Sequence, residues 1–259
     1  MPSELHAERR DAALVLTISD PASRNSLSEQ VFAAGIEALD SAESDDSVRC
    51  VVLQGDGEIF CAGGNLQRLK AVRQGDRSVQ DAMLQRFHGF VEALRVFPKP
   101  VIAAVEGAAA GGGFSLALAC DLIVAAEDAR FVLSYGRIGL SPDGGATWQL
   151  MQRLPRQLVL QMLWLHKPVS AAQLHAHGVV NWVVPKGRAG THACEIAQKL
   201  AGCAPNAIAS VKELVNQWPE RSLAQQLDLE RDHFLDNLYH PNGDEGLQSF
   251  LDKRPPSFE

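Results

Sequence analysis

A run of glycines between a predicted strand and a predicted helix is the part of this sequence best suited to chemistry. The apolar segment Val101 to Val105 has the composition of a strand, small residues follow from Gly107 to Gly113, and an apolar helix is predicted from Phe114 to Ala119. Glycines leave backbone N–H groups uncovered, and the first turn of a helix adds unpaired donors and the positive end of its dipole. Such a turn can hold an anion, or an oxygen that becomes negative during a reaction. Close packing of the helix against the strand would also require small residues, so this turn alone supports both interpretations.

A second strand and turn of the same kind lie earlier in the chain. Val48 to Leu53 is apolar, Gly55-Asp-Gly57 follows, and Gly63-Gly64 stand just before another helical pattern. Two such turns could direct two backbone donors at a single oxygen atom. Their combination therefore favours a binding site over simple packing.

Together the two turns resemble the signature pair of the crotonase superfamily, the enoyl-CoA hydratase/isomerase family. The matching segments are Phe60-Cys-Ala-Gly-Gly-Asn-Leu66 and Gly107-Ala-Ala-Ala-Gly-Gly-Gly113, and the resemblance extends from about Asn25 to Pro256. It implies an α/β fold, the ClpP-like spiral of ββα turns. It also implies an oxyanion hole for a thioester carbonyl, formed by the N–H groups of Gly64 and Gly112. These motifs are specific for the fold and for thioester binding, and much less so for the reaction.

The proton-transfer groups of a hydratase are missing at the expected positions. Hydratases of this family carry two glutamates at the positions that correspond here to Ser115 and Tyr135. Addition of water to a double bond needs one group to activate water and another to deliver a proton, and paired carboxylates do both. The sequence therefore argues against standard hydratase chemistry. Ser115 is expected to pack under the helix or to line the substrate site, and Tyr135 to line the acyl pocket or donate a hydrogen bond.

One acid stands at a position that some isomerases of the family use for their base. Asp143, within Ile138-Gly-Leu-Ser-Pro-Asp-Gly-Gly-Ala-Thr147, is in a pattern most similar to that of ring-epoxide isomerases. A single carboxylate is sufficient for isomerisation, because it can take a proton at one carbon and return it at another. Burial in a pocket would raise its pKa toward a useful value. An aspartate before a helix can also be only an N-cap, so both roles are open.

The resemblance leaves several functions to compare. The favoured function is double-bond or ring-epoxide isomerisation of an enoyl-CoA with Asp143 as base. The alternatives are hydration by non-standard groups and non-catalytic binding of acyl-CoA. A displacement reaction like that of 4-chlorobenzoyl-CoA dehalogenase is a weaker match. That relative has a helix histidine near the position of His88 but a tryptophan where Tyr135 stands.

Further substrate contacts follow from the resemblance alone. It implies that Arg24, the basic residue before Asn25, approaches a coenzyme A phosphate. It places Ala62, Gly63 and Leu66 beside the substrate. In the C-terminal tail, Lys253 and Phe258 would meet the nucleotide portion, from the same or a neighbouring subunit.

Composition bounds the remaining possibilities. The 259 residues are 46% hydrophobic and 21% charged, which is typical of a globular protein of one large domain. The net charge of −7 argues against general nucleic-acid binding, which needs a basic surface. Five cysteines without CxxC or His/Cys clusters indicate buried thiols, with Cys61 and Cys120 in apolar runs.

No metal or redox cofactor is expected, since coenzyme A arrives as part of the substrate. The polar start of the chain and the lack of an apolar run of about 18 residues predict a cytoplasmic protein.

Predicted elements divide the chain into two regions. Repeated strand–turn–helix units over residues 1–190 indicate a parallel α/β core that contains the acyl-CoA site. Residues 191–259 read as four helices, about 191–202, 206–217, 222–238 and 243–252. Helices with such limited apolar faces need another surface to bury against, and the resemblance implies a homotrimer or a dimer of trimers. Capping boxes are predicted at Ser26 with Glu29 and at Ser222 with Gln225.

Overall fold

The computed structural model describes residues 3–258, which form two sheets and eleven α-helices within that range. The strands are β1 (Glu4–Arg10), β2 (Ala13–Ser19), β3 (Cys50–Gly55), β4 (Val101–Val105), β5 (Ala108–Ala110), β6 (Leu122–Ala126), β7 (Arg130–Val132), β8 (Val169–Ser170) and β9 (Trp182–Val184). The helices are α1 (Glu29–Glu43), α2 (Leu66–Val72), α3 (Arg77–Val96), α4 (Gly112–Ala119), α5 (Ala146–Met151), α6 (Arg156–Leu165), α7 (Ala171–Ala176), α8 (Ala189–Ala201), α9 (Pro205–Gln217), α10 (Leu223–Leu238) and α11 (Pro241–Leu251).

The larger sheet has the strand order β1-β2-β3-β4-β6-β9. From β2 to β9 all neighbours are parallel, and only β1 pairs antiparallel with β2. The smaller sheet has the order β5-β7-β8, with β5 parallel and β8 antiparallel to β7. The predicted strands of the core are confirmed, with ends displaced by a few residues. The glycine-rich segment from Gly107 to Gly113, predicted as a turn throughout, contains the additional short strand β5.

The first strand was not predicted, because its sequence is polar. Nearly every residue of Glu4–Arg10 is exposed, so no hydrophobic period marks it. Its order comes from a full ladder of pairs with β2, from Glu4 opposite Ser19 to Arg10 opposite Ala13. A polar strand at the edge of a sheet needs only backbone pairing on one side.

The predicted capping box at Ser26 is wrong. Helix α1 begins two residues later, at Glu29, and its N-cap is Ser28, whose hydroxyl accepts the N–H of Val31. Leu27 forms a parallel bridge with Gly64, and its N–H donates to the Gly63 carbonyl at 2.8 Å. That bridge keeps the chain extended through Leu27, so the helix cannot start at Ser26.

Alternating residues of the parallel strands are buried on both faces of the large sheet. On one face, Val51, Leu53 and Ala103 pack with the apolar sides of α1, α3 and α4. On the other face, residues such as Val52 and Ile102 pack against α8. Double coverage explains why these strands read as continuous apolar runs.

Helix α8 belongs to the core rather than to a separate helical region. Its apolar side, which includes Ala193 and Ile196, is buried against the sheet. The division of the chain at residue 190 stays a prediction, and α8 is the part of the predicted helical region that packs on the sheet. The other predicted C-terminal helices are confirmed, and so is the capping box at Ser222 and Gln225.

Helices α9 to α11 project from this core with much of their apolar surface uncovered. Their exposed large side chains include Val211, Val215, Trp218, Leu223, Leu227, Phe234, Leu247 and Phe250. A partly exposed ion pair anchors α9: the Lys212 ammonium donates to Asp121 at 2.7 Å and to the carbonyls of Leu94 and Lys99. Within residues 3–258, no helix is long and apolar enough to cross a membrane.

Candidate active site

The two glycine-rich turns meet at the start of α4. Cys61 and Ala109 form a parallel bridge, in which the Ala110 N–H donates to the Cys61 carbonyl at 2.9 Å. A Cβ atom built on Gly63 would lie 2.5 Å from the Ala110 carbonyl oxygen and 3.0 Å from the Gly112 nitrogen. The loops therefore touch through their backbones, and only glycine fits at position 63, where φ is also +82°.

Two backbone donors remain available at this junction. The N–H groups of Gly64 and Gly112 have no acceptor among the residues that the structure describes. Gly112 is the first residue of α4, where intrahelical partners are lacking and the helix dipole is positive. Beneath it pack Leu27 and Phe87, which a Cβ on Gly112 would meet at 2.8 and 3.3 Å. The geometry suits an oxyanion held by these two donors.

Asp143 lies beside this junction in a cluster with Tyr135 and Ser115. The Tyr135 hydroxyl donates to Asp143 Oδ1 at 2.6 Å, and the Ser115 hydroxyl donates to the Asp143 backbone carbonyl at 3.0 Å. Tyr135 also borders the first turn, since a Cβ on Gly111 would meet its ring at 3.6 Å. Ser115 is fully buried in α4. Among the described residues, Asp143 accepts a side-chain hydrogen bond only at Oδ1, so its Oδ2 atom is unpaired.

Burial raises the pKa of Asp143 above that of an ordinary aspartate. The hydrogen bond from Tyr135 opposes this shift because it stabilises the carboxylate, and a protonated His88 nearby does the same. Burial also raises the pKa of Tyr135, and the adjacent carboxylate adds to that effect, so the phenol stays a donor. His88 is exposed on α3.

The helix-cap interpretation of Asp143 does not hold. The N-cap of α5 is Gly145, in the left-handed conformation, and no side chain caps this helix. Only the backbone carbonyl of Asp143 is involved, accepting the Ala146 N–H at 3.3 Å. The carboxylate is directed to Tyr135 instead.

The predicted coenzyme residues fall into two groups. Arg24 is exposed next to the first glycine loop, and its carbonyl accepts the Ala62 N–H at 3.0 Å. The buried Asn25 amide fixes this contact by donating to the carbonyls of Asp56 and Ile59. Lys253 and Phe258 are elsewhere, in the tail after α11. Phe258 packs on Gly246 of that helix, and neither residue hydrogen-bonds to the site within residues 3–258.

A cavity lies next to the site, where the resemblance places Leu66 beside the substrate. It measures about 800 Å³ and lies between α2, the start of α3 and the loop Ile138–Leu140. Leu66, predicted to contact substrate, lines it and is 58% exposed. Local sequence does not mark the contribution of Ile138 and Leu140, which the fold brings to the same cavity.

Comparisons with known proteins agree with this geometry. The family model described as "Enoyl-CoA hydratase/isomerase" matches residues 8–259. The chain is 35% identical to 1,2-epoxyphenylacetyl-CoA isomerase of Escherichia coli K12, over 98% of this chain and 96% of that protein. It is 33% identical to 2,3-dehydroadipyl-CoA hydratase of the same organism, over 99% of both chains.

A solved structure gives the fold directly. An enoyl-CoA hydratase from Polaromonas sp. JS666 superposes with a TM-score of 0.98 and 50% identity, covering 99% of this chain and all of the other. The expected crotonase fold is thereby confirmed. The protein belongs to the enoyl-CoA hydratase/isomerase family of the crotonase superfamily, whose enzymes act on acyl-CoA thioesters.

Proposed function

We propose that this enzyme is an enoyl-CoA isomerase, acting on a double bond or a ring epoxide, with Asp143 as its base. The observation that carries the proposal is the composition of the cluster beside the two free N–H groups. It contains one carboxylate, Asp143, while the two positions at which family hydratases carry glutamates hold Ser115 and Tyr135. One carboxylate can move a proton between two carbons, whereas hydration needs two groups.

The reaction of a β,γ-enoyl thioester would use the site as follows. Asp143 Oδ2 takes the proton from the α-carbon, and the negative charge moves onto the thioester oxygen. The N–H groups of Gly64 and Gly112 stabilise that enolate, and one such donor is typically worth about 2.7–4 kcal/mol. The protonated Asp143 then delivers the proton to the γ-carbon, which places the double bond in conjugation with the carbonyl. Tyr135 keeps the carboxylate oriented by its bond to Oδ1.

The test compares the wild-type enzyme with Asp143→Asn on a β,γ-enoyl-CoA and an α,β-enoyl-CoA. Movement of the double bond into conjugation with the thioester carbonyl is followed by absorbance. Addition of water is followed by mass spectrometry. We expect conjugation of the first substrate, reduced at least about a hundredfold in the variant because the base is lost. Asp46→Asn, at an exposed position, is the control for the change of charge and should retain full activity.

Two results would contradict the isomerase proposal. Gain of water by the second substrate, unaffected by Asp143→Asn, would indicate a hydratase with unconventional groups, a possibility that the names of several relatives keep open. Binding of both thioesters without turnover would indicate a non-catalytic acyl-CoA-binding protein.

The proposed enzyme needs no resident cofactor, because coenzyme A enters as part of the substrate. The exposed apolar surface of α9 to α11 supports assembly into a homotrimer or a dimer of trimers. In such an assembly, Arg24 would approach a coenzyme phosphate, and Lys253 and Phe258 of a neighbouring subunit could reach the nucleotide.

A further inference from the structure

The cavity beside the glycine loops has apolar walls near the thioester position. Leu66, Leu69, Val72, Ile138 and Leu140 contribute these walls. The cavity borders both parts of the site. A Cβ on Gly64 would lie 3.7 Å from Leu69 Cδ1, and the Leu140 N–H donates to the carbonyl of Tyr135 at 3.0 Å. An acyl chain whose carbonyl is held at Gly64 can therefore extend along α2.

Three cationic side chains line the same cavity, and none of the described residues in its lining is acidic. They are Lys70, Arg73 and Arg77. None of them makes an ion pair or a side-chain hydrogen bond to another described residue, whereas Arg86 and Arg254 elsewhere on the surface pair with glutamates. Asp76, the nearest acid in sequence, uses its carboxylate to cap α3 through the Ser78 N–H. In a chain of net charge −7, three unpaired cations at one cavity are a local excess of positive charge.

The cations are spaced along the direction that an acyl chain would take. Leu69 lies next to Gly64, Arg73 at the C-cap of α2 follows four residues later, about 6 Å along the axis, and Arg77 begins the next helix. A chain of a few methylene groups would cross the apolar part and end among the cations. A methyl end would leave the cations without an anion, whereas a carboxylate would accept charge-assisted hydrogen bonds from them.

We propose that the substrate is a coenzyme A thioester whose acyl chain ends in a carboxylate, bound by Lys70, Arg73 and Arg77. This rests on the proposed function only in that the thioester is held at Gly64 and Gly112. An anion at these cations could also come from the phosphates of coenzyme A, and the experiment separates the two sources.

Binding is measured by titration calorimetry with three ligands that cannot be isomerised: adipyl-CoA, hexanoyl-CoA and free coenzyme A. The proteins are the wild type, the double variant Arg73→Met/Arg77→Met, and the control Arg137→Met. Arg137 is exposed next to Ile138 and does not line the cavity, so its removal changes the local charge without changing the lining.

We expect the wild type to bind adipyl-CoA more tightly than hexanoyl-CoA. The double variant should lose about tenfold or more in affinity for adipyl-CoA, since it removes charge-assisted hydrogen bonds to the terminal carboxylate. Its affinity for hexanoyl-CoA and for free coenzyme A should be unchanged, and Arg137→Met should match the wild type throughout.

Two outcomes would overturn the inference. Equal wild-type affinity for adipyl-CoA and hexanoyl-CoA would show that no carboxylate is recognised. An equal loss for all three ligands in the double variant would assign the cations to the coenzyme phosphates. Because these thioesters are saturated, the result is independent of whether Asp143 acts as an isomerisation base, which the turnover assay decides.

Discussion

The Tyr135 hydroxyl and the Asp143 carboxylate act on each other's protonation in opposite directions. Burial favours the neutral carboxyl, and the 2.6 Å hydrogen bond from Tyr135 favours the carboxylate. A base must be deprotonated to act, so the rate of the proposed isomerisation should rise with pH as Asp143 loses its proton. The midpoint of this rise should lie above the pKa of an ordinary aspartate, which is about 3.9.

Replacing Tyr135 by phenylalanine tests this balance. Without the hydrogen bond, burial is less opposed and the pKa of Asp143 rises further, so the acidic limb of the kcat/KM–pH profile should move to higher pH. At a pH well above the limb, the loss of activity should be smaller than in Asp143→Asn, because the base is still present.

The profile distinguishes this role from simple packing. A loss of kcat/KM that is the same at every pH, with an unmoved acidic limb, would show that Tyr135 only fills space. The control is Tyr239→Phe, at the C-cap of α10, where the side chain is 84% exposed. This variant should leave the profile unchanged.

At the scale of elements, the proposed oxyanion hole depends on how closely two loops approach. We expect Gly63→Ala to destabilise the fold by about 1–3 kcal/mol, because the new methyl would clash with the Ala110 carbonyl oxygen in a left-handed backbone conformation. The same clash displaces Gly112, so kcat should fall in the fraction that remains folded. Thermal unfolding and turnover together measure both effects.

The adjacent Gly64→Ala is the matched comparison. Its Cβ would meet only Leu69 Cδ1, at an ordinary contact distance of 3.7 Å. It should therefore unfold close to the wild-type temperature. Equal stability of the two variants would contradict the tight backbone contact at Gly63.

Much of this arrangement was predictable from local sequence. The strand–glycine–helix order at Val101–Ala119 and the apolar period of the long helix fixed the positions of the donors and the core. The start of α1 was not, because it depends on a bridge between Leu27 and Gly64, residues far apart in sequence. Strand β1 was not predictable for a different reason. Its order comes from backbone pairing with β2, and its exposed side chains leave no hydrophobic pattern. The contact of Asp143 with Tyr135 likewise required the three-dimensional fold.

For the whole molecule, the C-terminal helices expose a large apolar surface whose burial would stabilise an assembly. Phe234 is 65% exposed and Leu223 is 75% exposed on α10. We expect analytical ultracentrifugation to give the mass of three or six chains. Phe234→Glu should shift the distribution toward smaller species, because it places a charge in a surface that assembly would bury.

Ala224→Glu adds the same charge to α10 without removing a large apolar side chain, and should disturb assembly less. A wild-type protein that sediments as a single chain at micromolar concentration would argue against the proposed trimer. It would then leave the apolar surface of α9 to α11 unexplained.

The separation of main-chain and side-chain roles in the proposed site has an evolutionary consequence. The two donors belong to loops joined by backbone bridges, at Leu27 with Gly64 and at Cys61 with Ala109. Residues 115, 135 and 143 contribute side chains from other segments. Mutations at those three positions can therefore exchange the reacting groups while thioester binding persists. Such a chain can drift from one reaction to another through intermediates that still bind the same class of molecule, which fits the mixture of isomerases and hydratases among its relatives.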